Sequence, residues 1–495
     1  MTLPLFARAR QSSQNIAIVA SGQAFSYGLL LQRSGQLARR LLQATADLQE
    51  QRVAFLVPPG FDYVVTQWGI WQAGGIAVPL CVSHPRPELE YVINQADASI
   101  LIAHPQFESA LSAIAAEKQL PLILTTDPLP EEIGQLPPLE LQRRALILYT
   151  SGTTGKPKGV VTTHHNIQAQ VTSLMTAWQW TSRDRILHVL PLHHIHGIIN
   201  VLTCALWAGA ECHFLDKFAA DVVWNRLSQG DLTLFMAVPT IYAKLIAAWE
   251  ASDRDRQQQY SQGCANLRLM VSGSAALPVK VLEKWQEISG HFLLERYGMT
   301  EIGMALSNPL HGQRQAGCVG RPLPAVEVRL VDEQGLEVSV ENPGEIQVKG
   351  PNVFLEYWRN PTATAQAFQD GWFRTGDMAI VSQGNYRILG RLSVDIIKTG
   401  GYKVSALEIE EVLRTHPAIQ DCAVVGVMDA EWGERVCAAL VLQPECHLNL
   451  ETFRLWAKEQ LAIYKVPTRI LTLESLPRNA MGKVTKPAVV KYFYL

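Results

Sequence analysis

The chain has 495 residues, 48% apolar and 18% charged, which is a folding composition too long for a single hydrophobic core. Lysine and arginine number 43 against 45 aspartates and glutamates, a formal net charge of −2. That balance excludes a polycationic surface for nucleic acid or anionic lipid, and no apolar run reaches the ~18 residues that suggest a membrane span.

In chain order, Met1 to Arg10 lacks the apolar stretch of a secretory signal. The eight cysteines are scattered without a C-x-x-C spacing, so a reducing, cytoplasmic setting is expected and a zinc or disulfide framework is not. Tyr27 to Leu42 carries Leu30, Leu31, Leu37 and Leu41 at helical spacing. Val53 to Val57 is a short apolar run stopped by Pro58-Pro59-Gly60, which predicts a buried strand. Gly75 to Leu80, Ser99 to Ala103 and Ala145 to Tyr149 repeat the pattern, so the first half reads as α/β with parallel sheet covered on both faces.

The segments 371–377 and 384–389 read as short strands with glycine turns, and a boundary falls at Leu389-Gly390-Arg391. Beyond it, Ser405-Ala-Leu-Glu408 reads as a capping box opening a helix to about Thr415. Strands at Cys422 to Val427 and Val436 to Leu442, a helix near Glu451 to Ala462 and a strand near Arg469 to Leu473 follow. The expected fold is therefore a large α/β part of layered sheets and helices over 1–390, then a small α+β part over 391–495.

The strongest chemical signal follows the strand ending at Tyr149. Thr150, Ser151, Gly152, Thr153, Thr154, Gly155, Lys156 and Lys158 combine free backbone amides, hydroxyls and positive charge, which suits a polyphosphate. The spacing is not that of a Walker A loop, because Lys156 precedes Pro157.

From this segment onward the chain resembles the adenylate-forming acyl-CoA synthetases. The resemblance runs through Pro191-Leu-His-His-Ile-His-Gly197, Ser272-Gly-Ser-Ala275, Tyr297-Gly-Met-Thr-Glu301, Thr375-Gly-Asp377, Gly390-Arg391, Lys398 to Lys403 and Pro477 to Lys483, in order. It implies an ATP-dependent acid–CoA ligase that forms an acyl-adenylate and passes the acyl group to a thiol, with ATP, Mg²⁺ and CoA as partners. By the same resemblance Lys483, Thr300, Glu301 and His194 are catalytic positions, with Glu301 the magnesium-associated carboxylate. Ser274, Tyr297, Asp377 and Arg391 join the phosphate loop on ATP, Tyr297 by stacking on adenine and Asp377 by accepting the ribose hydroxyls. Gly400, Gly401 and Tyr402 match the pantetheine loop of a C-terminal part that rotates between half-reactions. The stretch from Arg391 to Gly400 is one residue longer than the common pattern, leaving Ser393 or Val394 as the hinge.

The acid pocket is expected near 193–200, 236–242, 272–276 and 304–308, with His196, Ser272 and Met304 as contacts. Polar Asn200, Ser307 and Asn308 favour a small, dicarboxylic acid over a fatty acid. Glu295 to Pro309 and Arg391 to Glu408 narrow the resemblance to the malonyl-CoA synthetases. A free second carboxylate needs a cation, and Lys284 or Arg314 is the expected one. Each also suits a plainer role, Lys284 on an exposed helix face. The alternatives are a short- or medium-chain acyl-CoA or acyl-carrier-protein synthetase, and a non-catalytic nucleotide- or acyl-binding protein.

Overall fold

The computed structural model describes residues 3–150, 156–215, 217–429, 431–479 and 482–494. Ser151, Gly152, Thr153, Thr154 and Gly155 of the expected phosphate loop lie outside the described residues.

Apolar runs closed by turn residues become parallel strands, because a strand buried on both faces has no use for alternation. Arg52–Leu56, Ile76–Pro79, Ile100–Ala103, Leu122–Leu124 and Arg144–Thr150 pair in parallel, with Arg52–Leu56 between Ile76–Pro79 and Ile100–Ala103. Lys158–Thr163 departs from the parallel expectation and returns antiparallel beside Arg144–Thr150. The connection of residues 151–157 is too short for a parallel crossover, which takes about a dozen residues or more. Tyr27–Leu42 is the expected helix, opened by the Ser26 hydroxyl, which accepts from Leu29 N at 3.1 Å.

A second large sheet holds Ile16–Ala20, Glu211–Phe214, Arg185–His188, Leu234–Ala237, Leu269–Ser272 and Leu294–Met299 side by side in parallel. Its edges are antiparallel, Gln23–Ser26 on one side and Gly303–Ser307 with Arg321–Pro322 on the other. The helix Phe61–Gln72 is buried almost all round, and its Trp68 lies in one core with Ile18 of this sheet and Phe55 of the other. Trp71 Nε1 donates to Ala145 O at 2.7 Å and Tyr63 Oη to Leu192 O at 2.6 Å, so this helix also fixes the histidine segment.

Glu327–Val331, Gly344–Lys349, Trp372–Ser382, Phe368–Gln369 and Asn385–Arg391 build an antiparallel sheet, in which the expected strands at 371–377 and 384–389 form a hairpin. The chain then changes sheet between Arg391 and Ile396. Ile396–Thr399, Tyr402–Ser405, Gly433–Leu442, Ile419–Asp429 and Arg469–Thr472 form the last one, packed by Ala406–Leu413 and Leu450–Gln460. The fold is thus the expected α/β part of layered sheets and helices, followed by a small α+β part. The capping box at Ser405 is only half made. Ser405 Oγ accepts from Glu408 N at 3.1 Å, but the Glu408 carboxylate turns to Lys465 Nζ at 2.6 Å. Among the described residues, no helix is long and apolar enough to cross a membrane.

Candidate active site

Parallel strands open their carboxyl ends along one edge, and ligands of such sheets bind outside that edge. Leu269–Ser272 ends there at Ser272, in register with Glu295 of the next strand, and Arg296 and Tyr297 follow. Arg185–His188 leads through the Pro191–Gly197 segment into a wide π-type helix, His196–Thr203. His188 Nε2 donates to Gly197 O at 3.0 Å, and a Cβ at Gly197 would stand 2.6 Å from Pro191 O. Only glycine fits that approach.

A cluster of buried polar groups results. Arg296 is 3% exposed, and among the described residues no carboxylate lies within ion-pair distance of it. Its Nη2 donates to Ser274 Oγ at 3.2 Å and its Nε has no partner. The guanidinium packs over Gly273, where a Cβ would come within 2.5 Å of Cζ. His196 Nδ1 lies 3.3 Å from the same Ser274 hydroxyl, held in a left-handed backbone at φ 70°. His196 Nε2, His194 Nε2, Ser272 Oγ and both amide atoms of Asn200 are buried and without partners. Burial drives the Arg296 pKa down to about 9 and that of His194 to about 2. His196 is lowered well below the ordinary histidine value by burial, with Arg296, His188, His194 and Lys483 adding repulsion. Both histidines are therefore neutral, and Arg296 is the cation of the pocket.

A second cluster faces the nucleotide motifs. Asp377 and Arg391 are cross-strand partners, and Arg391 Nε donates to Asp377 Oδ1 at 3.0 Å. Tyr297 Oη donates to Asp377 Oδ2 at 2.6 Å, so the tyrosine orients the carboxylate expected to meet ribose. Glu301 is buried, accepts from Tyr357 Oη at 3.0 Å, and is raised above the usual carboxylate range by desolvation. Lys158 Nζ lies 4.9 Å from the centre of the Tyr357 ring and Lys156 Nζ 5.9 Å from that of Tyr91. Thr300 occupies the turn before Glu301, and in the strand that follows Met304 N donates to Gln170 Oε1, on the helix His164–Trp178, at 2.7 Å.

Lys483 belongs to both clusters. It sits in a hairpin whose arms meet at Arg478 and Val484, with its own N donating to Asn479 Oδ1 at 3.0 Å. Burial first, then the charges of Arg391 and Arg296, lower its pKa from 10.5 to about 8, while Asp377 opposes the shift. The ammonium therefore feels the charges of both the Arg296 pocket and the Asp377–Arg391 pair.

Other expected residues are elsewhere. Lys284 is a correction: its ammonium pairs with Glu287 at 3.0 Å and Glu250 at 3.9 Å on the outer face of its helix. Arg314 is another, because its guanidinium is taken up by the carbonyls of Pro309, Phe292 and Leu310 at 3.0, 2.5 and 2.7 Å. Gly400 and Gly401 form the turn between Ile396–Thr399 and Tyr402–Ser405, with φ 55° and 83°. Tyr402 is 55% exposed and stacks on Tyr464 at 4.4 Å, so this loop contacts neither cluster in this arrangement. Ser393 and Val394 both lie between two fixed points, since Asp395 Oδ2 accepts from Arg391 N at 2.9 Å. The residue missed from the sequence is Arg296. Its signal was a charge in a strand of the buried sheet, where an arginine calls for a partner, masked by the charge of Glu295 beside it in sequence.

Comparison with known proteins places the chain in a family. Residues 5–358 match the AMP-binding enzyme family and residues 408–483 its C-terminal domain. The chain is 46% identical over 532 residues to the malonate–CoA ligase ACSF3, mitochondrial, of Xenopus laevis, covering 99% of this chain and 92% of that one. It is 40% identical over 534 residues to malonate–CoA ligase of Arabidopsis thaliana, covering 98% and 87%. ATP-bound MatB from Rhodopseudomonas palustris superposes with a TM-score of 0.91 at 33% identity, over 100% of this chain and 99% of that one.

Proposed function

We propose that this chain, which belongs to the AMP-binding enzyme family, is a malonate–CoA ligase. It converts malonate, ATP and CoA to malonyl-CoA, AMP and pyrophosphate. The observation that carries the reading is Arg296, a buried guanidinium with no carboxylate in ion-pair distance among the described residues, joined through the Ser274 hydroxyl to neutral His196. A monocarboxylic acid leaves that cation uncompensated, whereas a dicarboxylate pairs with it through one end and reacts at the other.

In the first half-reaction a malonate oxygen attacks the α-phosphorus of ATP and the bond to pyrophosphate breaks. Lys483 holds both anions as they approach, and Asp377, aligned by Tyr297 and Arg391, accepts the ribose hydroxyls. Glu301 fits a magnesium ion, because Mg²⁺ takes one or two carboxylates plus substrate phosphates, and Tyr357 occupies only one of its oxygens. The ion supplies neutralising charge on the phosphates. In the second half-reaction the CoA sulfur attacks the acyl carbon, the carbon–oxygen bond to AMP breaks, and the thiol proton leaves. Gly400, Gly401 and Tyr402 line the pantetheine path once the part beyond Arg391 has rotated on the segment holding Ser393 and Val394. The eight free thiols fit a reducing compartment, and the mitochondrial designation is that of the vertebrate relatives.

AMP release measured with malonate, methylmalonate, acetate, propionate, octanoate and palmitate tests the reading. Malonate or methylmalonate turns over best; octanoate best with malonate at background contradicts it. Product formed with CoA but not with holo-acyl-carrier protein fixes the acceptor.

The alkaline limb of kcat/KM for malonate is a further expectation. A lysine lowered to about 8 is charged below that pH and loses its proton above it, so adenylation falls as pH rises through about 8. The profile between pH 6 and 10 checks this, and an activity flat to pH 10 contradicts it. Replacing Arg296 removes one of the cations repelling Lys483, so that variant's limb moves upward.

A further inference from the structure

The helix Val279–Ser289 follows directly on the Ser272–Ala276 turn that carries Ser274. Proline at its N-cap supplies no side-chain acceptor, and its first turn holds no acidic residue. The Val281 and Leu282 amides are satisfied by Pro278 O, but Val279 N has no acceptor within its own helix. It donates instead to Glu411 Oε1 at 2.8 Å, a residue 132 positions further along the chain and beyond the change of sheet at Arg391. One residue along, Lys280 Nζ donates to Arg414 O. Arg414 Nη1 lies 3.6 Å from Glu411 Oε2 and steadies the carboxylate. A carboxylate at a helix N-terminus satisfies an orphan amide and meets the positive end of the helix dipole.

Glu411 is also linked, through its chain neighbour, to the segment that carries Lys483. Its neighbour Glu410 forms an ion pair with Lys486 at 2.8 Å, and Lys486, three residues beyond Lys483, also pairs with Asp395 at 2.6 Å. On the other side, Val279 lies five residues beyond Ser274, whose hydroxyl holds Arg296 and His196. We infer that Glu411 is a positioning residue: it docks the C-terminal part by capping the Val279–Ser289 helix in trans, and so sets Lys483 against the acid pocket. The cap exists only when the two parts meet in this way. It therefore favours the adenylating arrangement over the one that presents Gly400 and Gly401. The kinetic half of this inference rests on the ligase reading; the docking half does not.

The test has two arms. In the ligand-free protein, hydrogen–deuterium exchange of the peptide holding Val279 and Lys280 is faster in Glu411→Ala than in the parent, and Glu411→Gln, whose amide oxygen still accepts, restores protection. Unchanged exchange in Glu411→Ala overturns the docking role, whatever acid the enzyme uses. In the kinetic arm, malonate-dependent ATP–pyrophosphate exchange falls about tenfold in Glu411→Ala, or ~1.4 kcal/mol. Thioester formation from preformed malonyl-adenylate stays within about twofold of the parent, and the glutamine variant recovers most of the loss. Equal losses in both half-reactions, or none in either, overturn the positioning role. Faster exchange at Val279 with no acid supporting pyrophosphate exchange in the parent leaves the docking intact and removes the ligase reading.

Discussion

Arg296→Met is expected to lower kcat/KM for malonate by about 10²–10⁴-fold, because leaving a buried carboxylate without its partner costs about 3–5 kcal/mol. The same variant loses far less with propionate, which brings no second carboxylate to the pocket. Its specificity for malonate over propionate collapses for that reason and not through a general loss of catalysis. Stability should move the other way. In the ligand-free protein the guanidinium is buried against Gly273 and Ser274 with no carboxylate within ion-pair distance among the described residues, and methionine removes that desolvated charge. The melting temperature of the variant is thus expected to equal or exceed that of the parent. A lower melting temperature with parallel losses for both acids would make Arg296 a structural residue.

Lys483→Ala is expected to cut malonate-dependent ATP–pyrophosphate exchange by about 10²–10³-fold, the usual loss for one preorganised donor at a developing charge. Transfer from preformed malonyl-adenylate to CoA is expected to stay within about threefold, since the lysine has no part in that step once the C-terminal part has rotated. The two half-reactions are expected to respond unequally because the charges of both the acid pocket and the nucleotide cluster act on the ammonium in the arrangement described. Equal losses in both steps would show instead that the residue holds the site together.

Much of the chain announces itself. The short apolar runs at Val53 and Ser99 fold as buried parallel strands because nothing in them serves a solvent face, and the helix from Tyr27 has its cap at Ser26. Asp377 and Arg391 are 14 residues apart, and the glycine turn between them is what makes them face each other. The two cations expected for a second carboxylate flank Arg296 in sequence, Lys284 before it and Arg314 after it. Lys284 has Glu287 three residues on, the spacing of a surface ion pair on one helix face, and that is where it is spent. Arg296 was hidden inside the stretch that carries the resemblance, where its neighbours Tyr297, Thr300 and Glu301 already had roles. Only the packing of its guanidinium on Gly273, and the absence among the described residues of a carboxylate within ion-pair distance, sets it apart. The capping role of Glu411 has no local signature at all, since its partner amide lies 132 residues away. The glutamate that did look like a cap, Glu408, is bound to Lys465.

The central claim is that a dicarboxylic acid is held by Arg296 while its other end is adenylated. ATP–pyrophosphate exchange with malonate and with propionate, at equal concentration and without CoA, measures it most directly, because it isolates the step in which that pairing acts. Exchange with malonate at least ~10²-fold above propionate is expected, the value of one buried charge pair. Equal exchange with the two acids, or faster exchange with propionate, would contradict it.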